Sequence, residues 1–225
     1  PIFVDIKQDT LNINEMLIEA AITEKTKAIV VVHYGGFSCD MDYVLKIAKK
    51  HNLMVVEDAA QAMMSSYKNK YLGTIGDIGC LSFHETKNII SGEGGAILIN
   101  NLDLIERAEV IREKGTDRKK FNRGEVDKYS WKDIGSSYLP GEIVAAFLFA
   151  QLEEAHQITN NRKKIWDTYH ENCVNLPVIK NIRFSTTHEY LNGNGHLFFL
   201  LLEDLKSRNL FIDSMQASNI SCVTH

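Results

Sequence analysis

Residues 27–60 read KAIVVVHYGGFSCDMDYVLKIAKKHNLMVVEDAA, and this stretch decides the fold class. Its first part is an apolar run rich in β-branched side chains, which is typical of a strand buried on both faces of a parallel sheet. Asp40 can cap a helix, because apolar side chains recur after it at helical spacing and basic ones crowd the last turn. A second apolar run, LMVVEDAA, follows at residues 53–60. The order strand, helix, strand predicts a right-handed βαβ unit, with Asp58 at the carboxyl end of its second strand.

After this unit the chain continues the α/β pattern, with strands and helices in alternation. The predicted segments are strands at 79–84 (GCLSFH) and 96–100 (AILIN), helices at 102–114, 142–173 and 207–218, and further strands at 196–204 and 220–225. Gly115 is the natural C-cap of the helix that precedes it. Residues 116–131 are polar and have no clear period, which predicts a long surface loop.

A change of pattern at Leu176-Pro177 divides the chain. We assign residues 1–140 to a large domain with a largely parallel sheet, residues 141–174 to a long connecting helix, and residues 175–225 to part of a small α/β domain. The chain begins at Pro1 directly on an apolar stretch, so it is interpreted as an internal fragment.

Composition and charge exclude several classes of function. A net charge of −4 and a pI near 6.1 leave no basic surface for nucleic acid. Apolar runs fall far short of the roughly 20 residues that cross a bilayer, so no membrane insertion is expected. The four cysteines are far apart, without zinc-ligand spacing, which predicts buried reduced thiols, no metal site and a cytoplasmic protein.

Three potential site residues follow one another along the predicted sheet: Asp58, Ser82 and Lys87, the last followed by the glycine cluster GEGG at residues 92–95. The carboxyl ends of parallel strands meet at one edge, where ligands gather. Pyridoxal phosphate (PLP) needs a lysine for a Schiff base, an acid that keeps its ring nitrogen protonated, and donors for its phosphate. Each residue alone also has a structural interpretation, as a surface lysine, a helix N-cap or a turn.

The segments EDAAQ (57–61), LGTIGDIGCLSFHETKN (72–88) and GEGGA (92–96) together resemble the DegT/DnrJ/EryC1/StrS family of sugar-nucleotide aminotransferases. Members of that family are fold type I PLP-dependent transferases, with an α/β fold and an active site at a dimer interface. The resemblance covers almost the whole chain. It implies PLP as the cofactor and a homodimer or larger homo-oligomer as the assembly.

The resemblance also assigns roles to five residues of this chain. Lys87 would form the Schiff base and move a proton during the transfer. Asp58 would pair with the ring nitrogen, and Ala60 would lie under the ring. Gln61 would hydrogen-bond the ring hydroxyl, and Ser82 would contact the phosphate.

The reaction implied is amino transfer from L-glutamate to C4 of a dTDP-4-keto-6-deoxy-hexose, for bacterial surface polysaccharide such as enterobacterial common antigen. Another keto-sugar nucleotide, aminated at C3 or carrying a different nucleotide, is the alternative substrate. A non-catalytic homologue is the alternative of another class, and it would be expected to lack Lys87 or Asp58, which are both present. The 225-residue chain alone is expected to bind PLP poorly or not at all and to be inactive.

Two further groups of residues can be interpreted either as part of a ligand site or as structural. His33 and Tyr34 follow the first strand and could line a sugar pocket, or His33 could be a structural residue. The basic residues of the 116–131 loop could meet a nucleotide diphosphate, or form a charged surface in contact with water.

Overall fold

The computed structural model describes residues 1–176, 182–184 and 191–224. Its strands are β1 (Ala28–Val32), β2 (Met54–Asp58), β3 (Ser66–Tyr67), β4 (Lys70–Tyr71), β5 (Ile78–Ser82), β6 (Gly95–Ile99), β7 (Arg183–Phe184), β8 (Leu191–Asn192) and β9 (Leu200–Leu201). Its α-helices are α1 (Ile18–Ala21), α2 (Met41–His51), α3 (Ile105–Arg112), α4 (Arg118–Asn122), α5 (Glu142–Glu153), α6 (Ala155–Val174) and α7 (Leu205–Ala217). Short 3-10 helices cover Glu15–Leu17, Tyr34–Gly36 and Leu102–Leu104.

The main sheet has four strands in the order β1-β2-β5-β6. The pairs β1-β2 and β2-β5 are parallel, and β6 runs antiparallel to β5. The predicted α/β fold with a largely parallel sheet is therefore confirmed, with one antiparallel strand at its edge. Asp58 stands opposite Val32 on one side and Cys80 on the other, so the carboxyl ends of three strands lie at one edge of the sheet.

The crossover helix α2 forms where the sequence predicts it. The Asp40 side chain accepts a hydrogen bond from the Tyr43 N–H, which caps the first turn, and Asn52 ends the helix in the left-handed conformation. Val44, on the buried face of α2, belongs to the same core as Val31 of β1 and Val55 of β2. This packing fixes the strands that lead to Asp58.

The predicted continuous helix over 142–173 is instead two helices, because the backbone leaves helical geometry at Glu154. The break places Ala155, at the start of α6, in a small apolar cluster with Phe83 and Ile89. Farther along α6, the Trp166 indole N–H donates to the carbonyl of Leu197 at 2.9 Å. The helix pair is thereby joined to both the main sheet and the C-terminal part of the chain.

Several other predictions need correction. The 116–131 loop contains the short helix α4, because Lys120 and Arg123 reach carboxylates of α3. Only Leu200–Leu201 of the predicted strand 196–204 pairs, with β7, and residues 220–224 form no strand. Pro177 and His225, parts of the predicted domain break and last strand, lie outside the described residues.

The composition predicts buried reduced cysteines and no membrane-spanning helix. All four cysteines are free, but only Cys39 is buried, and the predicted burial of the other three is wrong because they lie at half-exposed positions. Among the described residues, no helix is both long and apolar enough to cross a membrane.

Candidate active site

Asp58 is the last residue of β2, between β1 and β5. Its side chain is half-buried, and one carboxylate oxygen accepts the N–H of Ala60 at 3.0 Å. The second carboxylate oxygen makes no hydrogen bond with the residues that the structure describes. Burial, and then the nearby charge of Asp58, raise the pKa of the Cys80 thiol on the adjacent strand. Asp58 thus offers an available anionic oxygen at the edge of the sheet.

Ala60 and Gln61 lie in the turn that follows β2. The side-chain oxygen of Gln61 accepts the N–H of Gly35 at 2.7 Å, which fixes the orientation of the carboxamide. Its amide nitrogen has no partner in the described part of the chain and is left to donate. Ala60 adds only a methyl group beside this donor, so the turn can approach a flat ligand closely.

Ser82 and Lys87 belong to β5 and to the loop that follows it. The Ser82 hydroxyl accepts the N–H of His84 at 3.3 Å, so its own hydrogen is free to donate. The loop folds back on itself, since the Lys87 N–H donates to the His84 carbonyl at 2.9 Å and the Glu85 N–H donates to Gly92 at 2.9 Å. The half-buried Lys87 ammonium has no hydrogen bond or ion pair within the described ranges.

A residue far along the chain connects these two segments. Asn194 donates from its side chain to the carbonyl of Gln61 at 2.9 Å, and its own carbonyl accepts from the side chain of Asn88 at 3.0 Å. Asn88 directly follows Lys87, so the turn after Asp58 and the loop that carries Lys87 are bonded to the same residue. Sequence reasoning missed this role, although the glycine-rich segment NGNGHL (192–197) was a signal of close backbone approach.

A second missed feature is the buried pair of His33 and Glu57. One oxygen of Glu57 accepts from His33 Nε2 at 2.9 Å and from the Gly73 N–H at 2.8 Å. The other oxygen accepts the N–H groups of Ile75 and Gly76, both at 2.7 Å. Burial alone would raise the pKa of Glu57, but these four hydrogen bonds together lower it below its ordinary value.

The neighbours of His33 decide between its two interpretations. Its Nδ1 accepts the N–H of Cys39 at 3.2 Å, so the ring hydrogen sits on Nε2 and is donated to Glu57. The side chain is fully buried, with both nitrogens occupied. His33 is therefore a structural residue and does not line a ligand pocket.

Most basic side chains near the 116–131 loop also have partners. The pairs are Lys119 with Glu113 at 3.9 Å, Lys120 with Glu106 at 2.5 Å, Arg123 with Glu109 at 2.8 Å and Glu125 at 2.6 Å, and Lys132 with Asp117 at 3.3 Å. These cations already have anionic partners, which favours the interpretation as a charged surface over a diphosphate site.

Comparison with known proteins agrees with this architecture. The DegT/DnrJ/EryC1/StrS aminotransferase family matches residues 1–225. GDP-perosamine synthase of Escherichia coli O157:H7 is 38% identical over 191 residues, which are 84% of this chain and 50% of that protein. The Helicobacter pylori UDP-4-amino-4,6-dideoxy-N-acetyl-beta-L-altrosamine transaminase is 33% identical over an alignment 229 residues long, which covers 100% of this chain and 58% of that protein.

A solved structure gives the same result for the fold. The PLP form of Spr1654 from Streptococcus pneumoniae aligns with a TM-score of 0.84 at 26% identity, over 98% of this chain and 60% of that one. The chain thus spans between half and about three fifths of the length of the relatives compared. The chain belongs to the DegT/DnrJ/EryC1/StrS aminotransferase family, and the predictions of this family, of its fold and of pyridoxal phosphate as its cofactor are confirmed.

Proposed function

We propose that the intact protein transfers an amino group from L-glutamate to C4 of a dTDP-4-keto-6-deoxy-hexose, in the synthesis of a bacterial surface polysaccharide such as enterobacterial common antigen. The observation that carries this proposal is a half-buried lysine without a partner among the described residues, in a loop that Asn194 ties to the turn after Asp58. An amine and a carboxylate on adjoining segments are what amino transfer through PLP requires.

The donors and acceptors at this edge fit PLP chemically. Asp58 has one oxygen free for the ring nitrogen, and its negative charge favours the protonated ring. Gln61 has an amide N–H available for the ring hydroxyl, because its oxygen is already bonded to Gly35. The Ser82 hydroxyl can donate to a phosphate oxygen, and Ala60 leaves room beneath a flat ring.

PLP, when bound, supplies an aldehyde that takes up the amino group and a ring that withdraws electrons from the reacting carbon. Lys87 would hold the aldehyde carbon of the cofactor through Nζ. After an incoming amine has released it, the same nitrogen would move a proton between the substrate carbon and the C4′ carbon of the cofactor, which is general acid–base work. The Asp58 carboxylate would face the ring nitrogen, where an opposite charge favours the protonated ring.

The names of the relatives support an amino-sugar product, but they do not agree on the nucleotide of the substrate. One relative is named for a 4-amino-4,6-dideoxy sugar, which supports amination at C4. The nucleotides in the two names are GDP and UDP, so a GDP- or UDP-linked 4-keto sugar is the second candidate substrate.

The test uses the intact protein with PLP, ¹⁵N-labelled L-glutamate and dTDP-, GDP- or UDP-linked 4-keto-6-deoxy sugars supplied separately. We expect mass spectrometry to detect a ¹⁵N-amino sugar, formed fastest from the dTDP substrate. A faster rate with another nucleotide would overturn the dTDP assignment, and no product from any of the three would overturn the proposed activity.

The role of Lys87 is tested by a matched pair of variants in the same assay. Lys87→Ala is expected to abolish turnover, because no other residue in our proposal supplies the amine. Lys25→Ala removes an exposed lysine far along the sequence from the site and is expected to retain wild-type activity. Steady-state turnover by Lys87→Ala would contradict the assigned role.

The assembly, the domain division and the location are further parts of the proposal. We propose a homodimer or larger homo-oligomer, a boundary near residues 141–174 between two domains, and a cytoplasmic location where nucleotide sugars are available. Light scattering of the intact protein tests the oligomer, and limited proteolysis with mass spectrometry tests the boundary. Fractionation of cells separates cytoplasmic from membrane-bound protein.

A further inference from the structure

Every hydrogen-bonding group of the buried Asn194 side chain is bonded to another residue of this chain. It is 1% exposed, and its Nδ2 donates to the carbonyls of Gln61 at 2.9 Å and Met63 at 2.8 Å. Its Oδ1 accepts the N–H of His196 at 3.0 Å. Both amide hydrogens and the oxygen are thus used, and two of the three bonds go to the turn that follows Asp58.

The same segment reaches the loop that carries Lys87 through a second pair of bonds. Asn88 donates from Nδ2 to the carbonyl of Asn194 at 3.0 Å, and its Oδ1 lies 2.9 Å from His196 Nδ1. Because an amide oxygen can only accept, the hydrogen is on Nδ1 of His196. Asn88 is buried, and its hydrogen bond to the carbonyl of Asn194 is shielded from water, whereas the contact with His196 is partly buried. We call Asn88, Asn194 and His196 the amide bridge.

Glycines allow the bridge to approach the rest of the molecule this closely. A Cβ on Gly36, whose φ is +86°, would lie 2.0 Å from the Oδ1 of Asn194. A Cβ on Gly193 would lie 2.5 Å from the Phe37 ring, and one on Gly195 would lie 2.8 Å from the backbone of α6. The path of residues 193–195 is therefore closely constrained on three sides, which makes the bridge a rigid spacer.

We propose that the amide bridge is a positioning device, in which Asn194 sets the distance between the turn after Asp58 and the loop that carries Lys87. This inference rests on the proposed function, because it assigns both segments to one cofactor. A cofactor held from two segments needs them within about 0.5 Å of the productive spacing, and displacement by about 1 Å can lower a rate roughly 100-fold. Asn194 itself acts through Gln61 and Asn88.

A matched control for Asn194→Ala exists in the chain. Asn12 is 2% exposed, its Nδ2 donates to the carbonyls of Phe37 at 3.1 Å and Ser38 at 3.0 Å, and its Oδ1 accepts the Tyr34 N–H at 2.8 Å. Asn12→Ala therefore removes the same three types of hydrogen bond from a buried position. It makes no bond to either segment that the bridge joins.

The experiment measures urea unfolding, the PLP dissociation constant of the apoprotein and kcat for the intact wild type and both variants. Both variants are expected to lose similar stability. Only Asn194→Ala is expected to raise the PLP dissociation constant, by about 10-fold or more, and to lower kcat by roughly 10- to 100-fold. An unchanged PLP dissociation constant in Asn194→Ala, or an equal rise in Asn12→Ala, overturns the inference.

A second variant decides the question if Asn194→Ala does not fold. Asn88→Ala breaks only the side of the bridge that faces Lys87, and it is expected to raise the PLP dissociation constant in the same direction. No change in that constant overturns the inference. PLP binding is measured without any sugar nucleotide, so it is independent of the substrate. If the wild type aminated no tested sugar while Asn194→Ala still raised the PLP dissociation constant, the proposed substrate would be refuted and the role of the bridge supported.

Discussion

Replacement of Glu57 by glutamine tests whether the buried carboxylate stabilises the edge of the sheet. The side chain is fully buried and accepts four hydrogen bonds, two at each oxygen. Glutamine has the same shape but carries an NH2 group in place of one oxygen. Wherever that group lies, it faces two donors, so two hydrogen bonds to a charged acceptor are lost.

The expected loss of stability follows from those two hydrogen bonds. Each hydrogen bond to a charged group contributes about 1.5–3 kcal/mol, so the loss of two in Glu57→Gln is expected to lower the free energy of unfolding by about 3–6 kcal/mol. A change of tautomer at His33 does not rescue the variant. If Nε2 became an acceptor for the new amide, the hydrogen on Nδ1 would point at the N–H of Cys39.

The assay is urea unfolding of the intact protein followed by circular dichroism, with the slope of the transition checked between variants. Glu24→Gln is the control, because Glu24 is exposed and its replacement is expected to change stability by less than about 0.5 kcal/mol. If Glu57→Gln were no more destabilised than Glu24→Gln, the four hydrogen bonds of Glu57 would not stabilise the fold.

Three further outcomes are expected. The hydrogen bonds hold the pKa of Glu57 below its ordinary value, so its contribution is present above that value and is lost as the pH falls through the folded-state pKa; the stability difference between wild type and Glu57→Gln, measured by urea unfolding, should therefore shrink in acid. Gly36→Ala should destabilise the protein more than Gly124→Ala in thermal unfolding, because both glycines have positive φ but only a Cβ on Gly36 meets Asn194, whereas Gly124 has open space; equal effects would contradict the collision. Burial raises the pKa of Cys39 to about 12, so mass spectrometry after iodoacetamide treatment at pH 8 should find it unmodified in native protein and modified in urea.

The βαβ unit could be predicted because its signals are local. The β-branched run of β1, the cap at Asp40 and the basic last turn of α2 each lie within a few residues of the structure that they specify. The direction of β6 could not be predicted in this way. Its apolar run reads the same whether the strand is parallel or antiparallel, and pairing with β5 decides the direction.

Some residues of the candidate site could likewise be predicted from local sequence pattern, and others could not. The positions of Asp58 and Ser82 at strand ends follow from local pattern, and both are strand ends in the structure. Asn194 is 133 residues from Gln61, and no local pattern states which buried carbonyl a distant amide will meet. Its role was therefore accessible only from the packed structure.

The adjacent carboxylates Glu57 and Asp58 explain how the sheet edge can be stable and still offer a charge to a ligand. Successive side chains of a strand point to opposite faces, so the two residues cannot share one environment. Glu57 is fully buried, and four donors stabilise its charge within the fold. Asp58 is half-buried and keeps one oxygen without a partner in the described chain. The charge that stabilises the loop is thereby separated from the charge available to a ligand. The neutral amides of the bridge can then join the two site segments without adding a further charge beside Lys87.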